Sequence, residues 1–261
     1  MVTLFGMAAV FAVLPANAYQ AQALVNALGI ALLPSILFAL LIYENPWKQS
    51  GFGPSSSGWF YPLAALIVLA AIPMIQAMAA WNESLHLPLR GMDKWIRDTE
   101  RSQDGFIKRM LDMPTPSLLL LNLFTMAFCT ALGEEAFFRG VIQKILFRAT
   151  GRMHVAVWLG AILFSALHFQ FLGFFPRVLL GLILGYLYAY SGSLWPSILA
   201  HFVYNGSQVL YFYLQQHQGG GPSSPVFDNN ATMPVSYGLL SAVLVLGGFI
   251  WMKRIKPNTW P

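Results

Sequence analysis

The chain has 261 residues, 57% of them hydrophobic and only 10% charged. A soluble domain carries about 25% charged residues, so the composition excludes an ordinary soluble protein and marks an integral membrane one. The formal net charge of +5 does not point to nucleic acid. The bases lie at the ends of apolar runs or among acids, as membrane-flanking bases do.

A helix needs roughly 20 apolar residues to cross a bilayer. Runs of that kind predict an all-α, polytopic transmembrane helix bundle of about eight spans. In chain order they fall at 2–18, 23–43, 59–80, 117–146, 154–170, 174–190, 195–215 and 236–252. The first has the apolar centre of a signal peptide but no basic segment before it, and is read as a membrane helix. Residues 44–58 form a Gly/Ser/Pro loop, and 216–235 form another. Residues 82–116 mix six bases with six acids among Leu89, Trp95, Ile96, Phe106 and Leu111, the pattern of an amphipathic segment in the membrane interface. Pro116 and Pro196 stand near helix starts and Ser191-Gly192 at a turn. The lone cysteine, Cys129, reads as a packing residue. The alternating sides of such a bundle receive equal numbers of bases, but the tail and the 144–152 loop favour both termini in the cytoplasm.

Polar groups inside these spans are costly, and normally face the bundle interior, find partners and mark function. Of the ten acids, only Glu134 and Glu135 fall inside a span. Of the five histidines, His168 and His201 do; Arg139 and Asn205 complete the set. At 1.5 Å per residue, Glu134, His168 and His201 lie roughly 18, 21 and 15 Å from helix ends that share one membrane face. Three helices therefore bring them to similar depth, as one site requires. Glu135 and Arg139, four apart, stack on one helix face and pair. Glu134 points about 100° away, toward the histidines. His201 and Asn205 share a face, and Phe164 sits one turn before His168. Gly181 and Gly185 make a small-residue face for helix packing.

Glu134-Glu135-Ala-Phe-Phe-Arg139 resembles the EExxxR motif of the CAAX-protease and bacteriocin-processing (CPBP, or Abi) intramembrane proteases. Phe164-Ser-Ala-Leu-His168 is similar to that family's FxxxH, and His201-Phe-Val-Tyr-Asn205 to its HxxxN. The motifs occur in the family's order within residues 117–215. The resemblance implies a catalytic core at 117–215, preceded by N-terminal membrane helices and an interfacial segment (1–116) and followed by an outer loop and last membrane helix (216–261).

It also implies an endopeptidase that hydrolyses a peptide bond of a membrane-associated protein or peptide, lipidated in some family members. Glu134 and His168 would activate water, His201 and Asn205 would stabilise the oxyanion, and Glu135 with Arg139 would hold Glu134 in place. No cofactor is required in this reading. The metal alternative is zinc on Glu134, His168 and His201, an N/O ligand set, although the chain lacks HExxH. Partners are then the substrate and the lipid bilayer, with no nucleic acid. The expected location is a bacterial inner membrane, with an endoplasmic-reticulum or plastid membrane as the alternative. An ion- or proton-coupled transporter is the rival from another class, since buried Glu, His and Arg also build proton relays. It lacks support from internal repeats. A non-catalytic scaffold or immunity protein would have no need to bury these charges.

Overall fold

The computed structural model describes residues 16–85, 92–218 and 234–255. Among them every regular element is helical: α1 Gln20–Ile42, α2 Phe60–Ser84, α3 Met92–Met110, α4 Pro116–Thr150, α5 Met153–Ala166, α6 Phe174–Ser191, α7 Leu194–His217 and α8 Val235–Ile255. Local chemistry marks the ends. Pro116 opens α4 after an extended Thr115, where its missing N–H costs nothing. Ser193 caps α7 by accepting from Trp195 N at 3.3 Å. Gly151 and Gly192 end α4 and α6 in the left-handed region, at φ 64° and 67°, which a side chain would resist.

Helices α1, α2, α4, α6 and α8 are long and apolar enough to cross a membrane. The expected count of about eight is refined by two others. Helix α7 is long but interrupted by Ser197, His201, Asn205 and three glutamines. Helix α5 has only 14 residues, or about 21 Å. The expected 154–170 span stops short because the chain reverses after Ala166, with Phe169 at φ 52°. The expected 2–18 span falls almost wholly outside the described residues, as do 86–91 of the interfacial segment and 219–233 of the last loop.

Helix α2 packs against α6, α7 and α8, α5 against α6, and α4 against α1 and α7. Phe60, Ile67, Leu184, Leu187 and Val245 form the centre of the apolar core. Outward residues are apolar too: Leu41 is 82% exposed and Leu246 62%, a surface stable only in lipid. The interfacial segment is the amphipathic α3. Ile96 and Met110 are buried beneath it while Trp95 is exposed. It covers the connection between α5 and α6, where Glu100 Oε1 accepts from Leu172 N at 2.8 Å.

One end of the bundle gathers the last turns of α1, α4, α6 and α8. It carries Lys48, Lys144, Arg148, Arg152, Lys253 and Arg254 against one described acid, Glu44. The end that carries α3 mixes bases with acids.

Candidate active site

Helix α4 holds two carboxylates in neighbouring directions. Its α-helical stretch Thr130–Phe137 lies between wider π-helical turns at Leu123–Cys129 and Phe138–Ile142, irregularities that often accompany functional sites. Gly133 lets α1 approach here, since a Cβ would collide with the Ala27 backbone carbonyl.

Glu135 is fully buried and has a partner on every side. Arg139 Nη1 donates to its Oε1 at 2.8 Å, the pairing expected from the spacing. Ser197 Oγ donates to Oε2, and His201 Nδ1 reaches Oε1 at 2.9 Å. A carboxylate held by a guanidinium accepts only, so the His201 proton sits on Nδ1. The second Arg139 nitrogen, Nη2, donates to Gly181 O at 3.1 Å. The Gly181–Gly185 face does pack helices, with Gly181 against Ala161 and Gly185 against Val157. It also exposes its carbonyls to Arg139 and, at Gly185, to Gln143.

Glu134 is 7% exposed and faces both imidazoles. His168 Nε2 lies 3.8 Å from its Oε1, and His201 Nε2 3.8 Å from its Oε2. These gaps exceed a direct hydrogen bond and suit a small bridging group. His168 Nδ1 donates to Phe164 O, because a carbonyl only accepts. Both rings therefore turn their Nε2 edges toward Glu134. Glu134 Oε2 and Asn205 Nδ2 are buried without a hydrogen-bond partner. Buried polar atoms left unpaired in this way call for a functional account. Phe164 packs the group together, its ring 4.9 Å from that of His168, 6.1 Å from that of His201 and 4.8 Å from the Arg139 guanidinium.

Five of the six singled-out residues thus converge, Glu134, Glu135, Arg139, His168 and His201, and Asn205 is buried one turn beyond His201 on α7. Sequence reasoning did not single out three supports. Ser197 lies one helical turn before His201, a spacing that could have flagged it. Asn82, on α2, holds the turn that follows His168. Its Nδ2 donates to Phe171 O at 3.0 Å and its Oδ1 accepts from Phe175 N at 2.9 Å. Arg177 Nη1 donates to Gln170 O in the same turn at 3.2 Å. No spacing rule links Asn82 to residues 89 and 93 positions away.

Residues 116–207 match the family described as "Type II CAAX prenyl endopeptidase Rce1-like", and the three motifs fall inside that stretch. The chain is 28% identical over 115 residues to "Uncharacterized protein YpbD" of Bacillus subtilis (strain 168), covering 42% of this chain and 53% of the relative. The chain thus spans about half the length of the curated relative that it matches. No solved structure matches it. Over the core at residues 116–207, this multi-pass membrane protein is thus similar to the Rce1-like CAAX prenyl endopeptidases.

Proposed function

We propose that the chain is an intramembrane endopeptidase that cleaves a membrane-associated protein or peptide with an activated water. The observation that carries this reading is the placement of two imidazole Nε2 edges, each 3.8 Å from a different oxygen of the buried Glu134 carboxylate. A water in that space donates one proton to Glu134 while its oxygen attacks the scissile carbonyl carbon. His168, oriented by the Phe164 carbonyl, fixes the direction of that water. Asn205 Nδ2 donates to the oxyanion that forms, while His201, its proton held on Nδ1 by Glu135, faces the water with the acceptor Nε2. Glu134 then passes its proton to the leaving nitrogen as the C–N bond breaks, releasing a carboxylate and an amine. Glu135 and Arg139 position the group and do not touch the substrate.

Zinc is weighed against the same residues. The ring orientation fits, since metal-bound histidines turn their second N–H to a carbonyl or carboxylate. Each Nε2 lies 3.8 Å from an oxygen of Glu134, a separation that leaves room for an ion among the three side chains. Glu134, His168 and His201 would hold the ion, which would supply a bound water of lowered pKa. The reading preferred here needs no metal. Elemental analysis, with cleavage followed through chelation and zinc restoration, separates the two.

The concentration of bases at one end of the bundle supports a cytoplasmic placement of that end, by the positive-inside rule. A bacterial inner membrane is the location inferred. The test of function is comparative peptidomics of membranes from cells expressing the wild type or Glu134→Gln. Peptides that depend on Glu134 support the proposal. Identical peptide sets, with a reporter cleaved equally by Glu134→Ala, His168→Ala and His201→Ala, overturn it.

A further inference from the structure

At the base-rich end of the bundle, two cations share one aromatic ring. Lys144 and Arg148 stand on successive turns of α4, with Nζ 5.6 Å and Cζ 5.4 Å from the centroid of Tyr43, the residue that follows α1. Like charges at this spacing repel each other. Among the described residues, neither has a carboxylate within ion-pair distance. Lys144 gives one hydrogen to the Gln49 carbonyl, which leaves two donors on its ammonium. Arg148 is exposed, and its guanidinium donates to no described residue.

The third group is the Tyr43 hydroxyl. Tyr43 is only 8% exposed, yet its hydroxyl oxygen is buried with no hydrogen-bond partner. Burial pushes the phenol above its ordinary value and the Arg148 charge opposes that rise, so the group stays a neutral donor near pH 7. Two cations without a carboxylate partner and a hydroxyl without a hydrogen-bond partner leave a set of donors that no described acceptor takes. That set matches the oxygens of a phosphate.

The surroundings favour a lipid phosphate over a free one. Leu40, Leu41 and Ile42 run exposed along α1 up to Tyr43, and Ile145 is exposed between the two cations. An acyl chain has an apolar track leading away from the charged group. Trp47 and Trp59 are exposed nearby in sequence, as tryptophans are at the headgroup level. A zwitterionic headgroup would bring a cation of its own to a place that already holds two.

We propose that Tyr43, Lys144 and Arg148 form a binding site for the phosphate of an acidic phospholipid headgroup. The site lies at the opposite end of α4 from Pro116 and is independent of the peptidase reading.

The test is native mass spectrometry of the delipidated full chain, titrated with phosphatidylglycerol or phosphatidylcholine, with and without inorganic phosphate. The expected result is a phosphatidylglycerol adduct at least tenfold tighter than that of phosphatidylcholine. It is lost in Lys144→Gln/Arg148→Gln, weakened in Tyr43→Phe, and kept in Lys253→Gln/Arg254→Gln, which removes the same charge from the same end. Circular dichroism of each variant confirms its helix content. If Lys144→Gln/Arg148→Gln does not fold, Tyr43→Phe and Arg148→Gln alone carry the comparison. Equal retention of both lipids, or an equal loss in the Lys253/Arg254 control, overturns the site. Displacement of phosphatidylglycerol by inorganic phosphate at similar concentration overturns the lipid as its occupant.

Discussion

His201 touches both members of the carboxylate pair: its Nδ1 lies 2.9 Å from Glu135 Oε1 and its Nε2 3.8 Å from Glu134 Oε2. One imidazole from α7 thereby links the carboxylate that is tied down to the carboxylate left free. Glu135 is saturated by Arg139, Ser197 and His201, while Glu134 keeps an unpartnered oxygen. Adjacent glutamates have different environments, and their substitutions should separate.

Glu135→Gln removes the charge that pairs the buried Arg139. Breaking a buried pair from one side costs about 3–5 kcal/mol, so the melting temperature of the purified protein should fall sharply. Glu134→Gln should leave melting nearly unchanged while abolishing cleavage. Paired thermal-shift and cleavage assays check this, and equal melting losses in both variants would contradict the division of roles.

Asn205→Ala should lower the cleavage rate by roughly 10² to 10³, the loss typical of an oxyanion donor. Its Nδ2 has no partner in the resting protein, so stability should barely change. Turnover of a reporter peptide, measured beside a thermal melt, distinguishes these effects. A large melting loss with normal turnover would count against the oxyanion role.

Gly133→Ala places a methyl group against the Ala27 backbone carbonyl. Overpacking of this kind costs about 1–3 kcal/mol, and here it pushes α1 away from the helix bearing Glu134. Gly58→Ala, where a Cβ meets nothing within 4 Å, is the matched control. The expected outcome is a lower melting temperature for the first variant only.

Asn82→Ala leaves Phe171 O and Phe175 N without the side chain that joins them. An unsatisfied buried group costs about 1–3 kcal/mol, concentrated in the turn after His168. Amide hydrogen exchange should speed up over residues 167–175 and stay unchanged in α8. Uniform acceleration across the protein would show a global loss of stability instead.

The motif residues were legible in the sequence because a membrane makes misplaced polarity conspicuous. Glu134, Glu135, Arg139, His168, His201 and Asn205 stand out against apolar helices whose burial cost demands an explanation. The Glu135–Arg139 pair followed from helical spacing alone, and similar depth brought three helices to one site. The all-helical fold followed from run length, since lipid leaves the backbone few other ways to satisfy its hydrogen bonds. Span ends were less legible: α5 stops at Ala166 because of a turn that no periodicity marks.

Tertiary structure alone decided which carboxylate is held and which is free, and which edge each imidazole presents. Those choices depend on Ser197, the Phe164 and Gly181 carbonyls and Asn82, groups whose polarity is unremarkable until another helix arrives beside them. It also decided that Tyr43, Lys144 and Arg148 meet, because helices α1 and α4 are joined by packing and not by sequence. Spacing along one helix is written into its chain, whereas contacts between helices arise only when their side chains pack together.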